Sequence, residues 1–133
     1  MKNKKTYIID DDKISLKLMS LLISRNKFSE EINSFSNAQS ALDELKKNCS
    51  DIENLPDIIL LDLNMPVMDG WQFLDEFICL PIAKDISVFI VTSSINPVDI
   101  EMSKKYNMLK GYIMKPITAE KLKSMTNLIG VIS

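Results

Sequence analysis

The sequence predicts an α/β fold, a doubly wound parallel sheet of five strands covered on both faces by five helices. Short continuous apolar runs, of which Tyr7-Ile8-Ile9 and Ile58-Ile59-Leu60-Leu61 are the clearest, read as strands buried on both faces, the mark of a parallel sheet. Such runs alternate five times with amphipathic segments, which is the pattern of repeated βα units. The third observation is chemical. Asp10, Asp11 and Asp12 follow the first run and Asp62 ends the other, and parallel strands place their C-terminal ends on one sheet edge, so that edge collects carboxylates from two strands. If the two strands are neighbours, the like charges require a cation or a transferred proton as compensation. Oxygen-only ligands point to Mg²⁺, and a carboxylate beside Mg²⁺ is a candidate phosphoryl acceptor.

In chain order, the strands are predicted at about Thr6 to Asp10, Ile32 to Phe35, Ile58 to Asp62, Val88 to Thr92 and Gly111 to Met114. The first helix runs from about Lys13 to Arg25, with Asp12 as N-cap and apolar Ile14, Leu18, Leu21 and Leu22 at helical spacing. The second begins after Asn37 and turns Ala38, Ala41, Leu42 and Leu45 inward, and the third follows the turn Asp69-Gly70 with Trp71, Phe73, Leu74 and Phe77. Asn96-Pro97, a cap followed by proline at the first helical position, opens the fourth helix. The fifth starts near Thr118, where Lys121 stands in place of the glutamate of a capping box. Cys49 to Pro56 is the most loop-like stretch. Strand order does not follow from pattern, but right-handed crossovers and helices on both faces favour a doubly wound sheet. In such sheets the site lies outside the carboxyl ends of the strands, where the aspartates are.

Composition narrows the function. With 133 residues, 46% hydrophobic and 26% charged, residues 1–133 form one domain able to bury a proper core. Sixteen basic against eighteen acidic residues give a net charge of −2, which is no footprint for nucleic acid; Lys2, Lys4 and Lys5 read as a solvated N-terminus. Cys49 and Cys79 are isolated thiols without the spacing of a metal or redox motif, read as reduced, mostly structural cysteines of a cytoplasmic protein. No apolar stretch approaches the roughly 18 residues that cross a bilayer, and no cleavage site follows the charged start, so no membrane partner is expected. Histidine is absent. That excludes Ser-His-Asp and Cys-His catalysis, argues against zinc, and means that in any phosphorelay this chain receives from a histidine elsewhere.

Four segments, Tyr7-Ile8-Ile9-Asp10-Asp11-Asp12, the stretch from Ile59-Leu60-Leu61-Asp62-Leu63-Asn64 through Met65-Pro66-Val67-Met68-Asp69-Gly70, Val91-Thr92-Ser93-Ser94, and Gly111-Tyr112-Ile113-Met114-Lys115-Pro116, stand in order at strand ends. Together they make the chain resemble the receiver domain of two-component response regulators over essentially its whole length. The resemblance implies a flavodoxin-like sheet of order 2-1-3-4-5. It makes Asp62 the phosphoacceptor, gives Asp10, Asp11, Asp62 and the Asn64 backbone carbonyl to Mg²⁺, and makes Thr92 and Lys115 the hydroxyl and ammonium that contact the phosphoryl group. Tyr112 matches an aromatic position that changes rotamer as the threonine moves, and Pro116 matches a cis peptide that aims the lysine at the site. Asn64 and Ser94 match positions that tune hydrolysis; both are short and uncharged, so no side-chain clamp is expected. The implied partners are a sensor histidine kinase or histidine phosphotransfer protein and an output protein of unknown identity.

The chemistry accounts for the residue types. Phosphoryl transfer asks a protein mainly for positioning and charge compensation, because the charge of a loose transition state is spread over three oxygens. An aspartate ending a rigid strand is a well-positioned nucleophile, and a cation with Lys115 compensates the charge. The bland readings are also visible. Asp12 is a helix cap, Asp57 a turn residue at the opposite sheet edge, Asp69-Gly70 a turn without chemistry, Tyr112 a half-buried ring, and Trp71, Met65 and Met68 packing residues.

The sequence therefore reads as a stand-alone receiver that takes phosphate from a partner phosphohistidine and switches the face formed by helix four, strand five and helix five. The chain ends about one helix after the fifth strand, leaving no output domain, and it is expected to catalyse only its own phosphorylation and dephosphorylation, so it is not counted an enzyme. Two rivals stand. An aspartyl-phosphate phosphatase of haloacid-dehalogenase type needs a second aspartate two residues after the nucleophile, where Asn64 stands, and a flavodoxin-like flavin module would set its anionic phosphate against the Asp-rich first loop.

Overall fold

The structure, a computed structural model, describes residues 4–94 and 96–128. Strands β1 (Lys5–Ile9), β2 (Glu31–Phe35), β3 (Ile58–Leu61), β4 (Ser87–Thr92) and β5 (Leu109–Met114) alternate with helices α1 (Lys13–Arg25), α2 (Ala38–Lys47), α3 (Gly70–Phe77), α4 (Pro97–Ser103) and α5 (Ala119–Leu128), and one 3₁₀ turn, Ile52–Asn54, interrupts the loop before β3. All strands are parallel, in the order β2-β1-β3-β4-β5. This is the predicted flavodoxin-like sheet. The chain reverses its winding between β1 and β3, which puts the switch point beside the two aspartate-bearing strand ends.

Successive residues of the apolar runs serve opposite cores, as the period of a strand requires. Tyr7, Ile9, Ile59 and Leu61 pack with Ala38, Ala41, Leu42, Leu45, Phe73, Leu74 and Phe77 on the α2 and α3 side. Ile8, Ile58, Leu60, Phe89 and Val91 pack with Leu16, Met19, Ile23, Leu122 and Met125 on the α1 and α5 side. Each fully buried aliphatic side chain contributes about 1.5–3 kcal/mol.

Two expectations need correction. In α1 the buried residues are Leu16, Met19 and Ile23, whereas Ile14, Leu18 and Leu21 are 72%, 62% and 52% exposed and Leu22 is half-buried. The helix carries two apolar stripes of the same period. The Asp12 side chain caps the helix by accepting the Ile14 and Ser15 amides, and docking against the sheet selects the Leu16, Met19 and Ile23 stripe. Lys5 is not solvated. It is buried in β1, with its Nζ 3.2 Å from the Asn54 carbonyl and 3.3 Å from Glu31. Lys2 lies outside the described residues.

Asp57 is at the opposite sheet edge as expected, but it does more than turn the chain. Its carboxylate accepts the Lys4 and Lys5 amides and pairs with Lys84 at 2.8 Å. Cys79 is exposed at the end of α3 and Cys49 half-buried after α2; both are free thiols, so Cys79 is no core residue.

Candidate functional site

Parallel pairing places Ile9 opposite Leu61, so Asp10 and Asp62 leave the sheet side by side. Their amides extend the ladder: Asp62 N–H donates to the Ile9 carbonyl at 2.9 Å and Asp10 N–H to that of Phe35 at 3.1 Å. Asp11, the next residue, lies at the exposed rim. One carboxylate oxygen from each of Asp10, Asp11 and Asp62 lies within 4.8 Å of the others. Asp10 is 1% and Asp62 6% exposed.

Asp10 uses both oxygens. Oδ1 accepts the Asp12 amide at 2.9 Å and Oδ2 accepts the Lys115 ammonium at 2.6 Å. Lys115 reaches over from the far end of β5, where its amide continues the ladder to the Thr92 carbonyl at 2.8 Å. The Lys115–Pro116 peptide is cis. Asp62 is less well provided. The Asn64 amide donates to its Oδ1 at a long 3.4 Å. Burial first, then the negative charge of Asp10, push its carboxyl up to about 6, with Lys115 and the Asn64 amide opposing and Asp11 adding a little. Asp12 stands apart as the α1 cap, its carboxyl held below the usual range by the Ile14 and Ser15 amides.

Thr92, buried at the end of β4, commits its hydroxyl to the loop beyond, donating to the Ser94 carbonyl at 3.1 Å. Tyr112 on β5 is half-buried, and its hydroxyl donates to the Asp99 carbonyl of α4 at 2.6 Å. Burial and the Asp99 charge push that phenol up to about 12. Asn64 and Ser94 are exposed. The structure thus brings Asp10, Asp11, Asp62 and Lys115 together at one strand-end pocket, with Thr92 ending the strand next to β3 and Tyr112 turned toward α4.

A model of the response regulator receiver domain matches residues 6–127. The chain belongs to that family. Among solved structures, a two-component response regulator from Cytophaga hutchinsonii is similar at a TM-score of 0.85 and 28% identity, covering 98% of this chain and 99% of that one. A response regulator receiver protein from Dyadobacter fermentans follows at 0.81 and 25%, covering 95% and 98%. Among curated relatives, the two-component response regulator ARR10 of Arabidopsis thaliana is 26% identical over 88% of this chain, of which this chain spans only 19%. The probable methanogenesis regulatory protein FilR2 of Methanothrix harundinacea is 27% identical over 87% of this chain and 74% of its own length.

The receiver pocket fits a hard divalent cation on its own chemistry. Its donors are all carboxylate oxygens, and an Asp62 acidity weakened by burial and by Asp10 marks a cluster short of positive charge. Asp10, Asp11 and Asp62 are the side chains that could hold Mg²⁺.

Two contributors of this receiver domain escape sequence reading. Trp71 is more than packing: its indole N–H donates to Asp99 Oδ1 at 3.3 Å and its ring stacks on Tyr106. Gly70 is pressed against the site strand, since a Cβ there would stand 2.9 Å from the Asp62 carbonyl oxygen and from Leu63 Cα. Only the spacing of Asp69 and Gln72, which form a full capping box at the start of α3, was available in sequence to mark that turn as rigid. Among the described residues, no helix is long and apolar enough to cross a membrane.

Proposed function

We propose that this receiver takes a phosphoryl group from the phosphohistidine of a sensor kinase or histidine phosphotransfer protein onto Asp62, and that its own catalysis is limited to that transfer and to the later hydrolysis. In the transfer, the P–N bond of the phosphohistidine breaks as a P–O bond to Asp62 forms, and the imidazole leaves with a proton from solvent. The observation that carries the reading is the buried Asp62, ending a rigid strand beside Asp10, Asp11 and Lys115. A fixed nucleophile loses little freedom on reaction, and a lysine already at the site compensates charge with little reorganisation. Mg²⁺ held by Asp10, Asp11, Asp62 and the Asn64 carbonyl would compensate the phosphoryl oxygens.

Three further observations support the reading. Thr92 holds a hydroxyl that a phosphoryl oxygen on the neighbouring strand end could recruit away from Ser94. Withdrawal of that hydroxyl frees the loop leading to α4, which links the chemistry to the α4, β5 and α5 face. The exposed apolar stripe Ile14, Leu18 and Leu21 begins just beyond Asp10 and Asp11, where a histidine-bearing partner must approach. Asn64 stands where a haloacid-dehalogenase phosphatase needs aspartate, and the acidic first loop disfavours a flavin phosphate.

The test is incubation with phosphoramidate and Mg²⁺ followed by intact-mass measurement. One phosphate should add, mapped to Asp62, and Asp62→Asn should abolish it; modification that persists in the variant would overturn the assignment.

A further inference from the structure

Helix α4 is seven residues long and buries none of them, so neither intrinsic helix propensity nor apolar packing holds it in place. Two of its polar attachments converge on Asp99. The Tyr112 hydroxyl of β5 donates to the Asp99 backbone carbonyl at 2.6 Å, and the Trp71 indole of α3 donates to its Oδ1 at 3.3 Å. The same two turns of α3 grip the segment that follows α4. Trp71 stacks on Tyr106 with ring centroids 5.7 Å apart, and the Tyr106 hydroxyl donates to Asp75 Oδ1 at 2.6 Å.

The other end of this brace rests on the site. Trp71 follows Gly70, whose amide donates to the Leu63 carbonyl at 3.0 Å. There is no slack at that point, because Gly70 already lies so close to the Asp62 and Leu63 backbone that even a methyl group would collide. A displacement of the Asp62 backbone therefore passes into the first turn of α3.

We propose that Trp71 and Asp99 form a second coupling between the site and α4, acting beside Thr92 and Tyr112, with Asp99 the junction where both end. The Tyr112 bond holds the Asp99 carbonyl from β5, whereas this one holds its carboxylate from α3 through Trp71. Each hydrogen bond latches α4 in the unphosphorylated position, and Trp71 is a positioning residue that sets how far α4 follows the state of Asp62. The inference rests on Asp62 as phosphoacceptor for its signal, but the latch itself is a property of the unphosphorylated protein.

The experiment is hydrogen exchange of full-length protein, read on peptides covering 96–106 and, as control, 14–23. Trp71→Phe keeps the ring on Tyr106 and removes the N–H. Loss of one hydrogen bond of ordinary strength should speed α4 exchange about fivefold without phosphate, leaving the α1 peptide unchanged. Asp99→Asn, which keeps the Oδ1 acceptor, should exchange as wild type, and Asp99→Ala as Trp71→Phe. With phosphoramidate and Mg²⁺, the acceleration in α4 should be smaller in Trp71→Phe than in wild type, since part of the latch is already gone. Equal α4 exchange in Trp71→Phe and wild type without phosphate overturns the latch, and equal acceleration on full phosphorylation overturns the coupling. Failure of phosphate to add to wild type, read by intact mass, overturns the phosphoacceptor reading instead and leaves the phosphate-free comparison decisive for the latch.

Discussion

The Nζ of Lys115 lies 2.6 Å from Oδ2 of Asp10, an ion pair across 105 positions of sequence in which the carboxylate is almost wholly buried and the ammonium partly exposed. The two residues come from strand ends that are not neighbours, with β3 and β4 between them. Lys115 is thus an internal counter-ion that bridges the pocket.

Removing it should leave Asp10 buried and unpaired. Lys115→Ala is expected to lower stability by about 2 kcal/mol in chelator, less than the roughly 3–5 kcal/mol for breaking a fully buried pair because the lysine is partly solvated. Mg²⁺ should recover much of this by returning positive charge to the same carboxylates. Thermal melts with and without Mg²⁺ check it; a variant as stable as wild type in chelator would mean that the pair contributes nothing.

Asp62 should make the metal-free protein sensitive to pH. Its carboxyl titrates at about 6 in the folded protein against 3.8 for an ordinary aspartate, so the folded state binds the proton more tightly. Folding stability from this group is then greatest below about pH 4, falls as pH rises through the interval, and stays low above about pH 6. Asp62→Asn removes the penalty. It should melt higher than wild type at neutral pH in chelator, with the difference shrinking toward pH 4; a pH-independent difference would refute the electrostatic origin. Asp11→Asn should do much less, since Asp11 is exposed and is the smallest of the influences on Asp62.

Donor docking and chemistry should separate at α1. Leu18→Glu changes a side chain 62% exposed on the stripe nearest the pocket, so phosphorylation by phosphoramidate should be unchanged. Transfer from a cognate phosphohistidine protein should slow about tenfold, the effect of losing one well-placed apolar contact. Equal slowing with both donors would place the defect in the site and not in docking.

Val67 is the strained point of the loop after β3. It is fully exposed with φ at 69°, a left-handed conformation that is costly for a β-branched residue. Val67→Gly should raise stability by about 1 kcal/mol, the relief of strain less the added entropy of the unfolded chain. Chemical denaturation measures it; destabilisation would show that the valine side chain makes up for its own strain.

The sheet, its helices and the acidic edge were legible in the sequence because each is encoded locally. The run from Ile58 to Leu61 is apolar at every position, and a strand buried on both faces has no other pattern. Asp12, Asn37 and Asn96 announce helix starts through hydrogen bonds that span at most three residues. The four strand-end segments fall together because parallel strands share an edge.

What only the tertiary structure decided are choices between equivalent local solutions. Helix α1 presents two apolar stripes of one period, and nothing in periodicity selects Leu16, Met19 and Ile23 over Ile14, Leu18 and Leu21; docking against the sheet does. Asp10 and Asp11 are adjacent and chemically identical, yet strand alternation and the reach of Lys115 make one a buried ion-pair partner and leave the other at the rim. Trp71 reads as packing in sequence because its partner, Asp99, is 28 positions away. A hydrogen bond of that separation depends on where two helices meet in space, and no local pattern records it.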